Sequence, residues 1–454
     1  MSATNKPSPG MLHLQRGPIL STLIRLSLPN VLAMVMTVLV GIAETYYVGR
    51  LGTTPLAAMA LVFPFAMLTG MMSAGAMGGG VSSAVSRALG ASDTLRANTL
   101  AFHALIIGTG AGLLYTLVFL VFGPAFYRVL GGTSNVLDEA IRYSTVLFSG
   151  ALLVWLSNTL ASILRGTGNM RAPSIAIVAT ATLQIILGGV LGLGLGLVPS
   201  FGMVGVAIGH IVATAAGVCF FLWFLMTGQG RLTLRVRGIA FQREMFSDIL
   251  KVGAIALLSP LKSVLAVLIF TGLVAHLGVL PLAGYSIGQR LEFLLIPIAF
   301  GIGVASLPMV GMAIGAGNVA RARRVAWVAG GLSTFNLGLI GLVVTVAPDL
   351  WASLFSSDAA VLDYARQYLC MTGPAFPFFG LGLTLYFASQ GSGKVLGPVL
   401  AGTLRLVIVA AVGGWLATSE VGANGYFGLV AVAMTVYGIA TAVAVRFTRW
   451  GPTP

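Results

Sequence analysis

The chain repeats itself. Leu51-Gly52-Thr53-Thr54-Pro55-Leu56-Ala57 returns as Leu277-Gly278-Val279-Leu280-Pro281-Leu282-Ala283, 226 positions later (277 − 51). Ala88-Leu89-Gly90-Ala91 matches Ala313-Ile314-Gly315-Ala316 at an offset of 225 (313 − 88). Gly166-Thr167-Gly168, followed by Pro173, matches Gly391-Ser392-Gly393, followed by Pro398, again at 225 (391 − 166). Landmarks held in register over so long a stretch argue for an internal duplication.

Composition says what is duplicated. Of the 454 residues, 57% are hydrophobic and only 8% charged, where soluble domains carry about 25% charged residues. The chain therefore reads as a polytopic membrane protein. Its 60 glycines suit helices packed closely in lipid, where small residues let backbones approach. Cys219 and Cys370 both lie in apolar segments and read as small apolar fillers rather than a disulfide framework. Residues 1–17 are polar and read as a short tail, with no secretory signal pattern.

Stretches of about 20 apolar residues cross a bilayer core of ~30 Å. They fall near 18–49, 55–86, 98–123, 138–164, 173–197, 202–227, 247–276, 280–313, 322–347, 360–389, 397–417 and 425–446. The expected fold is thus all-α, with about twelve spans in two six-helix lobes. An even number per repeat gives both lobes the same orientation, so the pseudo-two-fold axis relating them should lie along the membrane normal. The expected organisation is a cytoplasmic tail at 1–17, a first lobe at 18–227, a basic linker at 228–245, a second lobe at 246–448 and a cytoplasmic tail at 449–454.

Loop charges orient the bundle. With the N-terminus inside, inner segments carry Lys6, Arg16, Arg87, Arg96, Arg165, Arg171, Arg231, Arg235, Arg237, Arg243, Arg321, Arg323, Arg324, Lys394, Arg446 and Arg449. Outer loops carry Arg50 and Arg128 beside Asp349, Asp358 and Glu420. The positive-inside rule then places both termini in the cytoplasm. It also accounts for the net charge of +14 without nucleic acid, because the basic residues are spread over alternate loops. No extramembrane stretch is long enough for a nucleotide-binding motor, and parallel repeats of an apolar bundle suit two lobes rocking about a site between them.

Gly41-Ile42-Ala43-Glu44-Thr45-Tyr46-Tyr47-Val48-Gly49-Arg50-Leu51-Gly52, followed by Leu56-Ala57-Ala58, resembles the first-span signature of the multidrug and toxic compound extrusion (MATE) transporters. Leu164-Arg165-Gly166-Thr167-Gly168-Asn169 before Pro173 resembles their inner loop after the fourth span, and Gly391-Ser392-Gly393 is its counterpart. The resemblance covers nearly the whole chain and is nearest the bacterial, DinF-like branch. It implies export of amphiphilic organic compounds, chiefly cations, driven by inward flow of protons or sodium. The family pattern has an acidic residue where this chain has Glu44. In many members an Asn and an Asp follow in the fifth span, where this chain has Gln184 and Gly188. With one carboxylate of that pair absent, coupling through two acids is in doubt.

Ionisable groups inside a membrane are costly, so each is a functional candidate. Glu44 lies near the outer end of the first span, roughly 6 Å below it by helix rise, and is the expected coupling-ion or proton site. Lys262 and Glu292 lie 15 residues either side of position 277, so an antiparallel hairpin sets them at equal depth as an expected ion pair. That pair is either a structural bridge or part of a cavity. Arg290 lines the cavity or reaches Glu292. Asn158 and Gln184, mid-span in the first lobe, either line a site near Glu44 or form interhelical amide bridges. Tyr47 is a further cavity candidate. Arg405 is expected to snorkel toward the inner surface, and His103, His210 and His276 to be satisfied or interfacial.

Pro29, Pro64, Pro260, Pro297 and Pro377 are potential kinks. The expected activity is secondary antiport by alternating access, with protons favoured over sodium. The alternative is a flippase or exporter of a lipid-linked or anionic metabolite. No catalytic residue, metal site or cofactor is expected. The expected partners are small amphiphiles and the bilayer but no nucleic acid, and the protein is expected to act as a monomer. A bacterial inner membrane is the expected location.

Overall fold

The structure, a computed structural model, describes residues 14–194, 198–228, 231–234, 240–419 and 421–451. Lys6, Arg235, Arg237 and Glu420, most of the expected N-terminal tail, much of the 228–245 linker and part of the C-terminal tail lie outside these residues.

Long apolar helices account for nearly all the rest. They are α1 (Ile19–Leu51), α2 (Thr53–Gly90), α3 (Thr94–Val129), the bent pair α4 (Ser134–Ser149 and Ala151–Gly166) and α5 (Arg171–Leu193). After these come α6 (Gly202–Met226), α7 (Arg243–Ala275), α8 (Val279–Gly315), α9 (Val319–Val346), α10 (Ala359–Ser392), α11 (Leu396–Ala417) and α12 (Ala423–Phe447). Eleven are long and apolar enough to span a membrane alone, and α4 makes the twelfth when its halves, bent by 41°, count as one span. The bend falls at Gly150, where a Cβ would lie 3.1 Å from Ile211 Cδ1. The predicted all-α fold and its spans stand.

The duplication is visible in backbone angles as well as in letters. Gly52 (φ 129°) and Gly278 (φ 110°) turn the first hairpin of each half, in a region where only glycine is unstrained. Gly168 and Gly393 close the loops after α4 and α10 at φ 78° and 77°. At the starts of α3 and α9, Asp93 and Asn318 each accept a hydrogen bond from the backbone three residues on, from Arg96 and Arg321. Both are N-caps satisfying an orphan amide. The repeat therefore conserves the stops and starts of helices, which set where each chain reversal falls.

The prolines differ in effect. Pro29, Pro64 and Pro297 lie inside continuous helices. Pro260 and Pro377 instead occupy first turns of the second segments of α7 and α10, behind a break at Leu257 and a 3-10 turn at Gly373–Ala375. There the missing N–H costs nothing. A further irregularity is the π-helical stretch Met71–Met77 within α2.

Contacts divide the chain into two compact units, Leu28–Ala254 and Met1–Ser27 with Ile255–Pro454. In the second, Leu14 and Leu23 join a buried cluster with Ile302, Met309, Val325 and Leu385. Arg321 Nη2 fixes that strand of chain by donating to the carbonyls of Gly17 (2.7 Å) and Leu14 (3.2 Å). In the first unit, Arg87 and Arg96 hold the start of α7 through Asp248, at 2.6 and 3.3 Å. Both units therefore include residues contributed from the other half of the repeat.

Candidate functional site

In the N-terminal unit, α5 and α6 approach unusually closely. A Cβ on Gly209 would lie 2.7 Å from the backbone nitrogen of Gly188, so only glycine fits. That contact carries His210, the next residue on α6, against Gln184, one turn before Gly188 on α5. The amide of Gln184 then faces two acceptors. Its Nε2 donates to Glu44 Oε1 at 2.7 Å and lies 2.6 Å from His210 Nδ1. With the amide spending one N–H on each, His210 accepts at Nδ1 and is the neutral Nε2–H tautomer. Glu44 makes no ion pair among the described residues.

Glu44 is half-buried. Because α1 runs on to Leu51, the carboxyl lies about 10 Å from the helix end by a rise of 1.5 Å per residue, deeper than the sequence suggests. Tyr143, buried on α4, stands within electrostatic reach of it. Tyr47, one turn beyond Glu44 on α1, donates from its hydroxyl to the Ile185 carbonyl at 3.2 Å. Its ring rests on Gly188 and Gly189, where a Cβ would lie 3.8 and 3.1 Å away. Gly188, where the family resemblance leads one to expect an acid, therefore seats an aromatic ring.

Asn158 stands apart from this group. Its Nδ2 donates to Ser73 Oγ at 2.8 Å, tying α4 to the π-helical stretch of α2. It makes an interhelical bridge, one of its two readings. His103 is also structural: Nδ1 faces Thr99 O at 2.8 Å, and Nε2 accepts from the Gln242 amide at 2.9 Å.

In the C-terminal unit the expected Lys262–Glu292 pair does not form. Lys262 Nζ donates to the Val399 carbonyl (2.5 Å) and to Thr403 Oγ1 (2.9 Å), joining α7 to α11. Glu292 instead accepts a hydrogen bond from the hydroxyl of Tyr368 on α10. Equal depth in a hairpin fixes height but not azimuth, and these two side chains face different neighbours. Arg290 is exposed and lies over the Phe355 ring, 5.1 Å from its centroid, so it does not reach Glu292 either. Arg405, expected to snorkel, is half-buried between the rings of Phe379 and Tyr437, and its charge acts on Glu292.

Among the described residues no group of three His, Cys, Asp or Glu is placed to hold a metal. His210 and Arg405 are the members that sequence reasoning undervalued. For His210 a signal existed: Gly188 and Gly209 are small residues flanking two polar ones on adjacent spans.

Twelve apolar helices in a duplicated six-span plan, with solitary carboxyls inside each unit, define a two-lobed helical membrane transporter. The MatE family model matches residues 29–190 and 257–416, and the chain belongs to that family. Its members are transporters, so this chain is a transporter and not an enzyme. The multidrug export protein MepA of Staphylococcus aureus (strain NCTC 8325 / PS 47) is 25% identical over 405 residues, 88% of each chain. An FAD transporter of Shewanella oneidensis is 24% identical over 392 residues, 86% of each. Among solved structures, a MATE protein in complex with MaD3S superposes with a TM-score of 0.89 at 25% identity, over 97% of this chain and 98% of that one. A MOP superfamily transporter from Pyrococcus furiosus, described as having a binding pocket of reversed polarity, shares the fold with a TM-score of 0.89. That match is 24% identical and covers 97% of this chain and 98% of the other.

Proposed function

We propose that the protein is a secondary efflux antiporter, exporting amphiphilic organic compounds by alternating access and coupled to inward proton flow through Glu44. The observation that carries this reading is the Glu44–Gln184–His210 arrangement. A half-buried carboxyl with no cationic partner can alternate between charged and neutral by binding one proton. The same arrangement is a poor cage for sodium. Gln184 turns N–H groups, not its oxygen, toward Glu44, so the group offers a metal cation little beyond one carboxylate. Belonging to the MatE family and similarity to a multidrug export protein support efflux.

Export of an anionic metabolite by the same fold is the second reading. It is favoured by the two cations of the C-terminal unit and by similarity to a protein described as an FAD transporter. The reading also places the protein in a bacterial inner membrane with both termini cytoplasmic, in keeping with the loop charges.

Purified protein in liposomes tests the reading. An imposed pH gradient, acidic on the side toward which substrate moves, should drive movement of a fluorescent organic cation, and a sodium gradient alone should not. Movement under neither gradient would sink the antiporter.

A further inference from the structure

The interior of the C-terminal unit holds unbalanced positive charge. Arg405 on α11 borders the ring of Tyr437 on α12, and Lys262 on α7 faces α11 one turn earlier, at Gly402. Arg405 Cζ lies 5.9 Å from that ring's centroid and 5.9 Å from that of Phe379. One turn earlier on α11, a Cβ on Gly402 would lie 3.6 Å from Lys262 Nζ and 4.0 Å from the Tyr437 ring. Neither cation makes an ion pair among the described residues. Arg405 acts electrostatically on Glu292, but that carboxylate is taken by Tyr368. Arg405 Nε is buried without a hydrogen-bond partner.

An unpaired guanidinium donor inside a membrane bundle is expensive to keep. Helix packing does not require it, because Lys262 already joins α7 to α11 through Val399 and Thr403. Two cations against one carboxylate leave a surplus that an incoming anion would neutralise. The guanidinium fork matches the two oxygens of a carboxylate or phosphate, and the ammonium adds a point charge beside it. The flanking rings of Phe379 and Tyr437 give an apolar surface for the rest of the ligand.

We infer that Arg405 and Lys262 form a receptor for an anionic group, carboxylate or phosphate, carried on an amphiphilic substrate. This inference rests on the transport reading above and adds to its substrate class molecules that present such a group beside an apolar body.

Rhodamine B and its ethyl ester form a matched pair of probes, since only the former has a free carboxylate. Their binding to the full-length protein in detergent is read by fluorescence anisotropy. Arg405→Gln should weaken rhodamine B about tenfold while leaving the ester within about twofold. Lys262→Gln should weaken it in the same selective way, and Arg405→Lys, which keeps the charge but loses the fork, should fall between Arg405→Gln and the wild type. Glu292→Gln, which removes the competing carboxylate, should tighten rhodamine B relative to the ester.

Equal loss for both probes, or loss for neither, overturns the anion receptor. If Arg405→Gln does not fold, Glu292→Gln decides, and unchanged or weaker rhodamine B binding overturns the inference. Efflux of the ester under a pH gradient tests the antiporter separately, so one reading can fail while the other stands.

Discussion

Glu44 and Gln184, 140 residues apart in sequence, are joined by a hydrogen bond of 2.7 Å inside the N-terminal unit. The same amide nitrogen reaches His210 at 2.6 Å. A carboxyl, an amide and an imidazole thus form one chain across α1, α5 and α6. An acid in the fifth span is not needed to orient Glu44, because the amide does so without adding a second negative charge.

Gln184→Leu should therefore leave Glu44 in place but without its donor. A hydrogen bond to a charged group is worth about 1.5–3 kcal/mol, so pH-gradient-driven efflux is expected to slow by about tenfold or more. Gln184→Asn, with a shorter reach, should fall between this variant and the wild type. Initial rates in proteoliposomes at matched protein content measure both.

The contact that positions His210 is steric. Gly209→Val should force α5 and α6 apart at Gly188, at a cost of about 1–3 kcal/mol for overpacking. Its thermal unfolding midpoint in detergent should fall by several degrees. Gly41→Ala is the matching control, because nothing lies within 4 Å of a Cβ there, and its midpoint should stay at the wild-type value or rise.

Asp248 accepts from Arg87 and Arg96 near the start of α7. These side chains are partly shielded, with 25% of Asp248 and 17% of Arg87 accessible. Asp248→Asn should cost about 1–2 kcal/mol, between the values for exposed and buried pairs. Salt should lower the wild-type unfolding midpoint more than that of the variant, since screening acts on an attraction the variant lacks.

The orientation is checked by labelling. In a background lacking Cys219 and Cys370, Thr133→Cys should react with a membrane-impermeant maleimide in whole cells. Lys394→Cys should react only after permeabilisation. The opposite pattern would invert the topology read from the loop charges.

Most of the fold was legible in the sequence because the repeat conserves features that local physics demands. Gly52 and Gly278 stand where backbone angles admit little else, and Asp93 and Asn318 stand where helix starts need caps. Glu44 and Gln184 were legible as polar intrusions in apolar spans, and the structure brings them together. The Lys262–Glu292 pairing failed because position along a helix says nothing about which neighbour a side chain faces. Lys262 turned to the carbonyl of Val399, and Glu292 to Tyr368. Arg405 was misread for a related reason. Its place in the first half of α11 suits snorkelling to the nearer end of that helix, but two aromatic rings from α10 and α12 flank it.

The central claim is that Glu44 carries the coupling proton. Glu44→Gln keeps the shape and the polar contact with Gln184 but removes the titratable group. In proteoliposomes with equal amounts of folded protein and a fixed pH gradient, the account predicts efflux of a fluorescent organic cation at the protein-free background. Efflux by Glu44→Gln at the wild-type rate would contradict it.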